Sequence, residues 1–163
     1  MSQWTHVSGM LRFDALRTLT IVSQQDVYDL MGKSYYYDMD GNKFSNTSRG
    51  PITPMGSGGP VQYHIEENPT HNSMASYDVA VWGDLRDFGE DEVLSGVANW
   101  LARITSYCKS APETRGGPLL MLRALIVQAE VEFGNTHLFL LSNEELQHTI
   151  SKDGRFWGEV VSQ

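Results

Sequence analysis

An alternating stretch near the start of the chain is WTHVSGMLRF, residues 4–13. Its apolar residues Val7, Leu11 and Phe13 would point to one side of an extended backbone, and their neighbours to the other. This two-residue period predicts a strand with one buried face and one wetter face. The side chains expected on the wetter face are Trp4, His6, Ser8, Met10 and Arg12.

Two stretches in the middle of the chain show the same alternation. Residues 61–66 place Val61, Tyr63 and Ile65 between polar neighbours, and residues 77–86 continue the pattern. Both are typical of half-buried strands, and we expect them to be antiparallel and joined by a loop. Their wetter faces would carry Gln62, His64, Glu66, Trp82, Asp84 and Arg86.

Two helices are expected beside these strands. Ser23 is a suitable helix start, and the apolar stripe that follows it ends at Gly32, which indicates about three turns. The acidic residues 90–92 favour the start of a second helix, in which apolar residues recur at helical spacing as far as Cys108. Asp87, just before this helix, is a candidate for its capping residue.

The C-terminal third predicts further β structure. Residues 122–132 and 136–141 are typical of a hairpin, residues 144–150 of a short helix, and residues 155–161 of a last strand. The order of elements favours an α+β fold with a ferredoxin-like split βαβ core. Such a core has an antiparallel sheet with two helices on one face, here with an added C-terminal β segment. We expect one domain covering residues 1–163.

A polar connection rich in Gly, Pro and Ser runs through residues 35–60, and long connections are often functional. Backbone N–H groups of its glycine-rich part could hold an anion or another ligand. The residues concerned are Gly56, Ser57, Gly58 and Gly59. No Gly-Lys-Ser/Thr sequence follows them, so the pattern is not that of a nucleotide-binding P-loop, and a flexible connection is the favoured interpretation.

Composition restricts the classes of partner. The formal net charge is −8, from 20 acidic and 12 basic residues, and the basic residues are scattered along the chain. Such a field repels phosphate backbones, so nucleic acid is not an expected partner. We expect neither a secretion signal nor a membrane span, and therefore a cytoplasmic protein. The single cysteine cannot form an internal disulfide, and no sequence motif calls for a cofactor.

The wetter face of the predicted sheet is the candidate site, with two interpretations. Its aromatic rings could stack on a small ligand, while its His, Glu and Arg side chains supply hydrogen bonds. Alternatively, the C-terminal strands or a second subunit cover the face, with Phe139, Phe156 and Trp157 as candidate covers. The second interpretation is favoured and predicts a homo-oligomer.

His6, His64 and Glu66 could in principle meet on adjacent strands and bind a metal or exchange protons. Pairs of histidines on a half-polar face are more often hydrogen-bonded surface groups. We therefore expect neither a metal site nor catalytic residues there.

Three short blocks resemble small uncharacterised proteins encoded by bacteriophages. They are residues 4–9, 54–57 and 83–87, all in the first half of the chain. The resemblance implies life in the cytoplasm of an infected bacterium and identifies no catalytic residue. The role it favours is a non-enzymatic accessory protein that binds a small ligand or a host protein. A structural or assembly oligomer of the virus is the alternative, and a small enzyme is third.

Overall fold

The computed structural model describes residues 2–16, 22–32, 53–71, 74–109 and 120–153, with two short strands at residues 36–37 and 43–44. The strands, in chain order, are β1 (Trp4–Leu16), β2 (Tyr36–Tyr37), β3 (Lys43–Phe44), β4 (Met55–Gly56), β5 (Gly59–Pro60), β6 (Gln62–His71), β7 (Met74–Arg86), β8 (Leu120–Val131), β9 (Thr136–Ser142) and β10 (Glu145–Ser151). The helical segments are α1 (Gln24–Met31), α2 (Glu90–Glu92), a π-helical stretch (Val93–Val97) and α3 (Ala98–Lys109). None of the helices in these ranges is long and apolar enough to cross a membrane.

Six strands form one antiparallel sheet in the order β10-β9-β8-β1-β7-β6. β1 is central, with β7 on one side and β8 on the other. β9 and β10 extend the sheet beyond β8, so the described C-terminal strands widen the sheet instead of covering its face. The chain therefore has a mixed α+β fold, as the sequence predicts.

The alternation predicted for β1 is confirmed. Val7, Leu11 and Phe13 are at most 3% exposed, whereas Met10 is 54% exposed. The same division continues along β6 and β7, where Ile65 is buried and Trp82 is exposed. Since adjacent side chains of a strand point to opposite faces, one face of the sheet is packed and the other is open.

Helix α1 begins and ends where the sequence predicts. The Asp26 carboxylate accepts the Ser23 N–H at 2.7 Å, which satisfies one of the N–H groups at the helix start. Gly32 ends the helix at φ 101°, a conformation that glycine adopts without strain. With eight residues the helix has about two turns, fewer than the three expected.

The capping prediction for the second helical run is wrong. The Glu92 carboxylate accepts the Gly89 N–H at 2.8 Å, so Glu92 supplies the cap instead of Asp87. Asp87 adopts φ 55° in the turn that follows β7, and its carboxylate accepts the Ser57 hydroxyl at 2.5 Å. This turn connects β7 to the helical run, and it places Asp87 two residues before the cap residue Gly89.

Both helical segments pack on the same face of the sheet, because their buried side chains join the buried strand residues in one apolar cluster. Trp100 of α3 is 2% exposed, and its indole N–H donates to the Met31 carbonyl at 2.6 Å. Gln24 of α1 donates to the Ile65 carbonyl at 2.8 Å. These bonds connect α3 to α1 and α1 to β6.

The hairpin predicted in the C-terminal third is confirmed as β8 and β9. The short helix predicted at residues 144–150 is wrong, since this segment forms β10 and pairs with β9. Asn143 and Glu144 have φ angles of 51° and 63°, and two successive positive values are those of a tight hairpin turn. The strand predicted at residues 155–161 lies outside the described residues, as do Phe156 and Trp157.

Part of the predicted 35–60 connection has regular structure. β2 pairs with β3, and β4 pairs with β5 in a tight turn against the end of β7. A Cβ added at Gly56 would lie 2.6 Å from the Arg86 carbonyl oxygen, so only glycine allows this close approach. Backbone contact thus sets the distance between the glycine-rich turn and the end of β7.

Candidate functional site

The open face is the side of the six-stranded sheet opposite the helices. It includes every sheet residue proposed for the site from the sequence. Its members are Trp4, His6, Ser8, Met10 and Arg12 of β1, Gln62, His64 and Glu66 of β6, Trp82, Asp84 and Arg86 of β7, Ile126, Gln128 and Glu130 of β8, and Leu138 and Leu140 of β9. Phe139, a predicted cover of this face, is instead buried on the helical side.

A group of apolar side chains crosses the middle of the open face. We call it the apolar belt, and it consists of Met10, Trp82, Ile126, Leu138 and Leu140. Met10 lies opposite Ile126, and Ile126 lies opposite Leu140. With Trp82 on β7, the belt spans four adjacent strands. Trp82 and Ile126 are 44% and 50% exposed. The sequence did not predict the belt members on β8 and β9, because the sheet face of their side chains can be assigned only when the pairing of these strands with β1 is known.

Two histidine–carboxylate pairs lie on the open face. His6 Nδ1 is 2.6 Å from Asp84 Oδ1, and both side chains are more than half exposed. His64 Nε2 is 3.2 Å from Glu66 Oε2, again with both side chains exposed. Each pair can present directional hydrogen bonds to a partner.

These pairs do not form a joint site. His6 lies opposite Asp84 on β7, whereas His64 lies opposite Ala80, four residues further along that strand. Four residues of strand span about 13 Å, and β7 also separates the two histidines laterally. In the described part of the chain, no group of three or more side chains is placed to hold a metal ion.

The arginines of the open face are close to carboxylates. Arg12 is 3.6 Å from Asp14 and 4.0 Å from Asp78. Arg86 donates to the Ser2 hydroxyl at 3.1 Å and lies 3.9 Å from Asp87. Much of the positive charge is thus offset locally, which leaves a negative rim contributed by Glu66, Asp84 and Glu130.

A shallow depression of about 290 Å³ lies at one end of the open face. Trp4, His6, Asp84 and Glu132 line it. The indole can stack on a flat group, while the two carboxylates and the imidazole can bind hydrogen-bond donors. The depression brings together three residues proposed from the sequence and adds Glu132.

The glycine-rich turn contacts the end of β7. The Ser57 N–H donates to the Arg86 carbonyl at 2.8 Å, and the Ser57 hydroxyl donates to Asp87. A Cβ added at Gly58 would stand 3.5 Å from the Arg86 side chain, whereas Gly59 has a positive φ of 139°. The turn and Arg86 are therefore neighbours, and the N–H of Ser57 is already engaged.

A buried histidine chain lies on the helical side, where sequence reasoning proposed nothing. His137 is fully buried, and its Nε2 pairs with the Glu90 carboxylate at the start of the second helical run. His137 Nδ1 lies 2.9 Å from His148 Nε2, and the His148 ring stacks on Phe139 at 4.4 Å. The two-residue alternation of β9 is a signal in the sequence that places His137 on the same face as Phe139.

The surroundings of this chain shift the pKa of two of its members. Burial favours the neutral acid of Glu90, but the Asn135 N–H and the His137 ring outweigh it and hold the pKa of Glu90 below its ordinary value. Burial lowers the pKa of His148, and the charge of a protonated His137 lowers it further. A carboxylate at Glu90 and a neutral His148 are thus the favoured forms.

The Glu90 carboxylate can only accept, so the Nε2–H of His137 is the donor of this bond. The second bond joins His137 Nδ1 and His148 Nε2, and the tautomers of the two rings decide which nitrogen donates. We interpret this chain as a structural connection between the helix start and the β9–β10 edge.

Comparison with known proteins adds no relative. No protein-family model, curated protein or solved structure matches the chain. The open face is therefore interpreted from its own residues.

Proposed function

We propose that the protein is a non-enzymatic binding protein that uses its open face to bind another protein. The observation that supports this role is the apolar belt, in which Met10, Trp82 and Ile126 are each at least 44% exposed in the middle of a sheet. Contiguous exposed apolar side chains with a polar rim are typical of protein interaction sites. A flat surface of this width fits a protein better than a small ligand.

The charge around the belt favours a partner with a basic rim. Glu66, Asp84 and Glu130 surround the belt, and the whole chain carries a net charge of −8. Complementary charges steer association and exclude partners of like charge. The bound surface would thus be apolar at its centre and rich in Lys and Arg at its edge.

The phage resemblance supplies the setting of this proposal. An accessory protein of a phage would act in the cytoplasm of the infected bacterium, where its partner would be a host protein. The glycine-rich turn beside Arg86 extends the rim of the open face at the end of β7. It would add contacts to the same partner.

A pair of matched substitutions tests the binding face. Ile126→Lys and Leu94→Lys change apolar residues of similar exposure, 50% and 45%, on the open face and on the helical run respectively. Capture from infected cells, followed by titration of the purified partner, should show binding lost in Ile126→Lys and retained in Leu94→Lys. Trp82→Ala should weaken the affinity by about 2 kcal/mol, or about thirtyfold. Thermal melting checks that each variant folds.

Several results would contradict the proposal. Binding that survives both Trp82→Ala and Ile126→Lys would place the interface elsewhere. Binding that is insensitive to salt would contradict the charged rim, because exposed charges are screened as ionic strength rises. A thermal shift with nucleotides or cyclic dinucleotides that Trp82→Ala abolishes would identify a small ligand as the occupant instead.

A closed dimer through the same face is the second candidate. Asp84 and Glu130 lie opposite His6, whereas Arg12 lies six residues further along β1. A two-fold axis running across the strands near Gly9 would place Arg12 of one copy over Asp84 of the other. Light scattering decides this case, since a dimer that Ile126→Lys converts to monomers would assign the face to self-association.

The fold itself has a finer interpretation, a ferredoxin-like split βαβ core. In chain order, β1, β6, β7 and β8 are its four strands, with α1 after the first and the second helical run after the third. Their order across the sheet is fourth, first, third, second, with every neighbour antiparallel. This order supports the proposal, with β9 and β10 as the added C-terminal segment.

A further inference from the structure

A second cavity, of about 340 Å³, lies on the helical side of the molecule. The chain entering β4 forms one wall, with Thr53, Pro54 and Met55. The π-helical stretch and the start of α3 form the other wall. Phe88 and Trp100, which are 5% and 2% exposed, provide its apolar lining. The volume falls within the range of small-ligand pockets.

The shape of the cavity depends on a glycine and on the π-helical stretch. A Cβ added at Gly96 would stand 3.0 Å from Phe88 Cζ and 3.8 Å from Pro54 Cβ, so a side chain there would enter the gap between the two walls. Gly96 lies in the stretch Val93–Val97. Single π-helical turns inside α-helices occur frequently at functional sites.

One residue of the cavity lining has a buried hydroxyl with no partner among the described residues. Thr53 is fully buried, and among the described residues its Oγ1 has no hydrogen-bond partner. Leaving a buried hydroxyl unpaired costs free energy, and such groups in native proteins are usually paired. A ligand group in the cavity would complete this hydrogen bond.

The charged residues of the cavity set the sign of its occupant. Arg103 is exposed at the rim, and no carboxylate of the described residues forms an ion pair with it. Glu92, the acidic member of the lining, keeps its charge, and one of its carboxylate oxygens accepts the Gly89 N–H. The Arg103 guanidinium is the basic group of the lining, and guanidinium groups bind carboxylates and phosphates in bidentate geometry.

We propose that this cavity binds a small organic anion. Its carboxylate or phosphate pairs with Arg103, its apolar body lies against Phe88 and Trp100, and a polar group bonds to the Thr53 hydroxyl. The site is separate from the open face and does not depend on the function proposed for that face.

The test uses the full chain and two anionic probes, indole-3-acetate and phenyl phosphate, with neutral indole-3-acetamide as the matched control. Titration is followed by ¹H–¹⁵N NMR at the Gly96 amide and the Trp100 indole N–H. At least one anion should give saturable shifts at both positions. The neutral amide should bind about tenfold more weakly than the acetate, because it forms no charge-assisted bond with Arg103.

Variants separate the two polar contacts. Arg103→Gln should abolish the preference for the anion. Arg123→Gln should leave this preference unchanged, because Arg123 is an exposed arginine of β8 that pairs with Asp14. Thr53→Val should weaken binding without lowering the unfolding midpoint, because the hydroxyl it removes has no partner in the part of the chain that the structure describes. Failure of both anions to shift these signals at millimolar concentration would overturn the proposal. An anion preference that survives Arg103→Gln would overturn it as well.

Discussion

Trp100→Phe tests the contact that holds the two helical segments together on one face. The indole N–H of Trp100 donates to the Met31 carbonyl at 2.6 Å, in a place where only 2% of the tryptophan is exposed. Met31 is the last residue of α1, so this carbonyl is one of those that the helix itself cannot satisfy. Phenylalanine keeps an aromatic ring there and removes the donor.

The expected loss has two parts. A buried carbonyl left without its partner costs about 1–3 kcal/mol. The smaller ring leaves part of the indole volume empty, which adds about 1 kcal/mol by analogy with large-to-small core substitutions. The free energy of unfolding should therefore fall by about 2–4 kcal/mol, a large share of the stability of a typical domain.

Urea unfolding followed by circular dichroism measures this loss. With a slope of about 2 kcal/mol/M, the midpoint should fall by about 1–2 M. Trp82→Phe is the matched control, because the same change at a tryptophan that is 44% exposed should shift the free energy by at most about 0.5 kcal/mol. Equal shifts for the two variants would refute the inference that α3 is tied to α1 through the Trp100 indole.

Three further predictions follow from the same contacts. Burial lowers the pKa of His148, so the unfolded chain binds a proton at this residue more readily than the folded protein below about pH 6.5. The free energy of unfolding should therefore fall on acidification. His148→Gln should reduce the change of the urea midpoint between pH 7 and 5. Gly56→Ala would push a Cβ against the Arg86 backbone and should cost about 2–3 kcal/mol in urea unfolding, whereas Gly58→Ala should change the stability by at most about 0.5 kcal/mol. Glu90→Gln leaves one of two donors, the Asn135 N–H or the His137 ring N–H, poorly paired. The thermal midpoint should therefore drop by an amount equivalent to about 1–3 kcal/mol. An unchanged midpoint would show that the buried histidine chain does not stabilise the fold.

Local pattern was sufficient where one face of a segment is packed. The alternation of β1, β6 and β7 placed Val7 inside and Trp82 outside, because a buried face restricts one side of each strand to apolar residues. The ends of helix α1 at Ser23 and Gly32 could also be predicted from the sequence, since caps depend on neighbouring backbone groups. These features require no knowledge of distant contacts.

Prediction failed where local signals were weak. Residues 145–151 lie at the edge of the sheet and are mostly exposed, so their sequence has no clear apolar period. The positive φ angles of Asn143 and Glu144 reverse the chain, and pairing with β9 then makes the segment a strand. Asp87 was an equally plausible cap in the sequence, but the turn after β7 gave the role to Glu92.

Composition and periodicity thus specify an acidic α+β chain with a two-sided sheet, because burial and solvent exposure act residue by residue. The tertiary structure determines which distant residues come into contact. The apolar belt needs the register of Met10 against Ile126, and the buried histidine chain joins residues 47 positions apart at Glu90 and His137. Such contacts form because packing two segments against each other buries apolar surface, and no short stretch of sequence records which segments will meet.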